Sequence, residues 1–183
     1  VNSGNFVVIA TPKLDRESDF LQLRERYASA ILQPDPHIRI TNPWIPADLG
    51  EVMAVIEFIS QTRKKLHPLA ITAENWQEAG EFIIAPIVNG ASELLLIRQT
   101  ILGSEPAPLL KTTPEPAFSL ILLRVPDDHK RALAVTEANR IGKTLGVIDA
   151  LTLIRTFPDG SWQRLARFPF GIGRVDFYER LLS

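Results

Sequence analysis

Read for hydrophobic spacing, the chain breaks into short blocks of two kinds. "NFVVIATP" is a β-branched apolar run closed by Pro12 and predicts a strand. "DRESDFLQLRERYASAIL" carries Leu23, Tyr27, Ala30 and Ile31 at helical spacing, with Asp15 or Ser18 as its cap. Pro34 and Pro36 stop that helix, and "HIRITNPW" then alternates as a strand does. "ADLGEVMAVIEFISQTRKKL" predicts a second helix with Leu49, Val52, Met53, Ile56 and Ile59 on one face. "PLAIT" predicts a strand and "AENWQEAG" a loop.

From there the order starts again. "EFIIAPIV" predicts a strand, "ASELLLIRQTIL" a helix and "SEPAPLLKTTPEP" a proline-rich connection. "AFSLILLRV" predicts a strand, and "DHKRALAVTEANRIGKTL" a helix with Ala134, Ala138, Ile141 and Leu145 on its apolar face. "VIDALTLIRTF" predicts one strand, "PDGS" a tight turn and "WQRLARFPF" its hairpin partner. "RVDFYERLLS" predicts a short terminal helix.

The series strand–helix–strand–helix–strand thus occurs twice, with shared order and spacing. It predicts an α+β, duplicated, two-lobed fold in which two antiparallel sheets face a central cleft with helices outside. The chain of 183 residues suits one domain. Its lobes are expected over about 1–76, with the closing elements, and 80–171, followed by a tail at 172–183.

Composition narrows the function classes. Net charge is −1, so no whole-chain attraction to nucleic acid or acidic lipid is expected. There is no cysteine, which excludes disulfides, thiolate catalysis and thiolate metal sites. No apolar run approaches the ~20 residues of a membrane span, and the start has no basic region leading into an apolar core. A cytoplasmic protein without a membrane partner is expected. No His or acidic cluster has metal spacing, and "NRIGKTLG" has Glu137 where a phosphate loop needs its first glycine. No metal and no cofactor are expected.

Period-two alternation puts His37, Arg39 and Thr41 on one face of "HIRIT", with Ile38 and Ile40 on the other. The same phase turns Ala117, Ser119, Ile121 and Leu123 to the cleft and Phe118, Leu120 and Leu122 beneath the helices. "PHIRITNPWIPADL" resembles the first signature of the two-histidine (2H) phosphoesterase superfamily, the 2′-5′ RNA ligase-like and cyclic phosphodiesterase proteins. "EPAFSLILLRV" falls where the second signature belongs, and "IDALTLIRTFPDGSWQRLARFPFG" resembles the closing hairpin.

The resemblance implies acid–base chemistry by two histidines on a phosphodiester, with two hydroxyl residues holding phosphate oxygens and no metal. Carried onto this chain, His37 matches the first histidine and Ser119 the second hydroxyl. Arg39 stands in place of the first hydroxyl, and Ala117 in place of the second histidine. Candidate catalytic groups are therefore His37 and Ser119, and candidate ligand-binding groups Arg39, Thr41 and Trp44. Alanine cannot transfer a proton, whereas a guanidinium binds phosphate in bidentate fashion.

The expected function is a degenerate phosphoesterase-like protein, impaired in catalysis, whose cleft holds a nucleotide, an RNA end or another phosphate ligand. The alternatives are a cyclic phosphodiesterase working with one histidine, and a non-catalytic scaffold with a closed cleft. For Arg39, an ion pair with Asp149 stands beside phosphate binding. His67 and His129 fall outside the signature positions. Trp44, Trp76 and Trp162 are read as packing before base stacking. Strand alternation sends Arg124, Arg155, Arg164 and Arg167 to different faces, so no single basic stripe is expected.

Overall fold

The computed structural model describes residues 4–27, 33–102 and 117–178. The proline-rich connection lies outside them, as do Ala30 and Ile31. In chain order the elements are β1 (Asn5–Ala10), β2 (Lys13–Leu14), α1 (Glu17–Tyr27), β3 (His37–Arg39), α2 (Leu49–Thr62), β4 (Leu69–Ala73), β5 (Gln77–Ala79), β6 (Phe82–Asn89), α3 (Ala91–Leu102), β7 (Ser119–Arg124), α4 (Asp128–Ile141), β8 (Thr144–Ile148), β9 (Ala150–Thr156), β10 (Trp162–Pro169) and β11 (Asp176–Phe177). A 3₁₀ turn, Arg63–Lys65, extends α2.

The strands form one antiparallel path, β11-β10-β9-β1-β3-β7-β6-β4-β8-β2, with β5 added beside β6. The duplication is visible about its centre. β3 and β7, the second strands of the two sequence units, pair with each other. Each is flanked by the first strand of its own unit, β1 or β6. Beyond that lies the last strand of the opposite unit: β9 beside β1, and β4 beside β6. The α+β fold is the expected one, but its halves interleave in sequence rather than following one another.

Alternation explains the core. Ile38, Ile40, Leu120 and Leu122 are buried in the main cluster with Phe20, Leu23, Ile56, Ile59, Leu94, Ala134 and Ala138 from the helices. On the opposite face, Val7, Ile9 and Ile154 form a small second cluster against Trp162. α2 begins as a capped helix should: Asp48 Oδ1 accepts from Glu51 N at 3.0 Å, and Glu51 Oε2 accepts from Ala47 N at 2.5 Å. Among the described residues no helix is long and apolar enough to cross a membrane.

Several expectations are corrected. Leu49 and Met53 are exposed, and Val55 takes a place on the buried face of α2. The "AENWQEAG" loop contains strand β5. Asp15 does not cap α1; its Oδ1 accepts from Thr144 Oγ1 and Leu145 N, and Leu145 belongs to β8 rather than α4. "VIDALTLIRTF" is two strands broken at Asp149. The described part of the tail pairs as β11 with β10 instead of coiling.

Candidate functional site

The site grows from the β3–β7 ladder. In register, His37 lies opposite Ile121 and Ile38 opposite Leu120. One step further Arg39 comes level with Ser119. β3 ends there because Ile40 N and Thr41 N both turn to the Val8 carbonyl. Arg98 of α3 secures this end from the core side. Its Nε donates to the Ile40 carbonyl at 2.9 Å and its guanidinium to the Arg39 carbonyl at 3.0 Å, while it stacks 3.9 Å over Phe118.

A cavity of about 320 Å³ opens where the two halves of the sheet meet. His37, Arg39, Val7, Ile154 and Trp162 line it from one half, and Phe82, Glu81, Ile121 and Arg124 from the other. Arg124 is held by Glu81, with 2.7 Å from Nε to the carboxylate. Gln33 clips the end of β7, donating to the Arg124 carbonyl and accepting from Arg124 N. An adjoining cavity of about 200 Å³ is lined by Arg39, Arg98, Ala117, Phe118 and Ser119. Arg39, Phe82 and Ile121 border both, and Arg39 lies 5.7 Å over the Phe82 ring.

His37 is 9% exposed. Its Nδ1 lies 2.9 Å from the Asp35 carbonyl oxygen. A carbonyl only accepts, so Nδ1 carries the proton and Nε2 the lone pair. Burial pushes the imidazole pKa down to about 4. Arg39 and Arg24 share in that lowering, and the Asp35 hydrogen bond and charge oppose it. At neutral pH this is a neutral imidazole, able to accept a proton at Nε2 and unable to donate one there.

The sequence-predicted residues part company here. His37 and Arg39 share the main cavity, while Ser119 and Ala117 share the adjoining one with Arg39. Ala117 lies four positions along from Ile121, His37's partner, roughly 13 Å at strand spacing. Ser119 is the same-face diagonal neighbour of His37, a relation that puts residues ~7–8 Å apart.

Thr41 is 3% exposed, its Oγ1 accepts from Val8 N at 3.0 Å, and it lines neither cavity. Trp44 is 6% exposed, bridges to Phe6 and packs on its ring at 5.9 Å. It is a packing residue and does not line the cavity. Trp76 is likewise buried, its indole donating to the Gly142 carbonyl. Trp162 is the tryptophan that lines the cavity.

Arg39 makes no ion pair with Asp149, which is taken by Lys13 at 2.5 Å and Arg167 at 3.1 Å. Arg155, next to Ile154 on β9, takes the face opposite Arg164, so the four arginines do not form one stripe, as expected, but two of them do share a side. A bulge between Arg164 and Ala166 resets the alternation of β10. Arg164 then faces Ile154 and Arg167 faces Thr152, two residues apart on β9 and so on one side. Both are paired with carboxylates, Arg164 with Asp35 and Arg167 with Asp149.

With this geometry in hand, the fold finds counterparts among solved structures. E. coli LigT complexed with NADP+ superposes with a TM-score of 0.60 at 11% identity, covering 94% of this chain and 100% of that chain. A crystal structure of a phosphoesterase gives 0.59 at 11%, covering 93% and 100%. E. coli LigT complexed with 3′-AMP gives 0.58 at 9%, again covering 93% and 100%. No family model matches the sequence, and no curated protein matches it. The chain has the LigT fold along nearly its whole length.

Proposed function

We propose that this protein is a degenerate two-histidine phosphoesterase-like protein that binds a phosphate-bearing nucleotide or RNA end in the His37 cavity and is impaired in turnover. One observation carries the reading: the cavity holds a neutral histidine beside Arg39, while Ala117, in the adjoining cavity where the resemblance puts the second histidine, has no group that can transfer a proton. The His37 cavity's remaining titratable groups, Glu81 and Arg124, are engaged with each other. Loss of one proton-transfer partner removes about 10²–10⁴ in rate, while Arg39 supplies a fork of donors for phosphate oxygens.

The fold supports the same class of ligand, since LigT has been crystallised with 3′-AMP, phosphate, NADP+ and ATP. The cavity volume of about 320 Å³ falls within the range of small-molecule sites, which favours an open cleft over a closed scaffold. Calorimetric titration with 3′-AMP and inorganic phosphate tests the reading. Arg39→Ala should weaken binding at least about tenfold, the loss of a hydrogen bond to a charged group. Hydrolysis of 2′,3′-cyclic nucleotides at ordinary enzyme rates, abolished by His37→Ala, would overturn it.

A further inference from the structure

The two polar groups presented on the β3 side of the cavity ask for different things. Arg39 offers only donors. His37 offers only an acceptor, because its Nδ1–H is committed to the Asp35 carbonyl at 2.9 Å. Nε2 makes no hydrogen bond to any described residue, yet it is not among the side-chain atoms sealed from solvent, so it opens onto the cavity that His37 lines. The ring cannot turn round without leaving the Asp35 carbonyl. Arg39 and the Arg24 guanidinium, which hydrogen-bonds the Gln33 and Pro34 carbonyls, oppose a second proton. A lone pair repels phosphate oxygens and attracts a hydroxyl.

We infer that the cavity selects a ring-opened nucleotide, in which a phosphate for Arg39 stands next to a free vicinal hydroxyl for His37 Nε2, over the 2′,3′-cyclic phosphate. This rests on the nucleotide-binding reading above and sharpens it. In the cyclic ester both ribose oxygens are bonded to phosphorus, and neither carries a hydrogen. In a 2′- or 3′-monophosphate the neighbouring oxygen is a hydroxyl and donates. Trp162 gives the cavity an aromatic side for the base.

Calorimetric titration at pH 8 tests this, since the second phosphate pKa of about 6 then leaves no P–OH donor. The ligands are adenosine 3′-monophosphate, its 2′-O-methyl derivative and adenosine 2′,3′-cyclic phosphate. The 2′-O-methyl compound keeps the charge and the 2′-oxygen and replaces the hydroxyl hydrogen with a methyl group. The free 3′-monophosphate should bind at least about tenfold tighter than either of the others, the scale of one hydrogen bond. His37→Gln, whose amide can turn either a donor or an acceptor to the ligand, should close most of that gap. Equal binding of the free and 2′-O-methyl compounds overturns the inference while leaving the nucleotide site standing, as does tighter binding of the cyclic ester. No binding of any of the three overturns the site and the inference together.

Discussion

Acid should weaken this protein through His37, by an amount that can be worked out. An unfolded histidine titrates near pH 6.5, and the folded one near 4. Above pH 6.5 both states hold a neutral ring and His37 contributes no pH dependence. Between 6.5 and 4 the unfolded chain takes up a proton that the folded chain refuses, so stability falls as pH falls. Below 4 both are protonated and the loss is complete. At about 1.4 kcal/mol per pH unit the loss comes to ~3 kcal/mol, a large share of the 5–15 kcal/mol typical of folded domains. Carboxylates titrate over the lower part of the same window, so the measurement is a difference. Urea unfolding of the parent and of His37→Gln at steps from pH 8 to 4.5 cancels every other group. The parent's advantage over the variant should shrink steadily below pH 6.5, by most of that ~3 kcal/mol. A difference that stays flat to within about 0.5 kcal/mol would mean that His37 is neither desolvated nor pressed by Arg39 and Arg24, and the tautomer argument would lose its basis.

Three further outcomes follow from the geometry. Ala117→His combined with Arg39→Thr should raise 2′,3′-cyclic phosphodiesterase activity above the parent in a direct assay of product, and either single change should raise it less. Gly160→Ala should lower stability by about 1–2 kcal/mol in thermal melts, since Gly160 sits at φ +84° and a Cβ there would meet Arg124 at 3.1 Å across the mouth of the cleft. Asp48→Ala should cost about 1 kcal/mol in the same assay through loss of the α2 cap, and Asp48→Asn should restore most of it.

The local code was readable and the tertiary code was not. Alternation correctly assigned Ile38, Ile40, Leu120 and Leu122 to the covered face, because burial acts on every second residue of a strand wherever it sits. The same rule placed Thr41 with His37 and failed, because β3 ends at Arg39 once Val8 captures the next two backbone amides. Nothing local marks that His37 pairs with Ile121. Arg164 and Arg167 share a side because of a bulge whose signal lies in the pairing with β9. Glu51 three residues after Asp48 was a capping signal in plain view.

The interleaving of the two units also bears on how the chain is made. Asn5 of β1 pairs with Thr156 of β9, 151 residues later. At the usual 5–20 residues per second of synthesis, roughly 8–30 s separate the two strands at the ribosome. β3 can close one edge of β1 early, but the other edge of "NFVVIA" stays open until β9 emerges. That edge is β-branched, uncharged and without proline, the composition most prone to pair with a neighbouring chain. β1 is thus made long before its second edge is paired, and newly made copies need that edge shielded until β9 emerges.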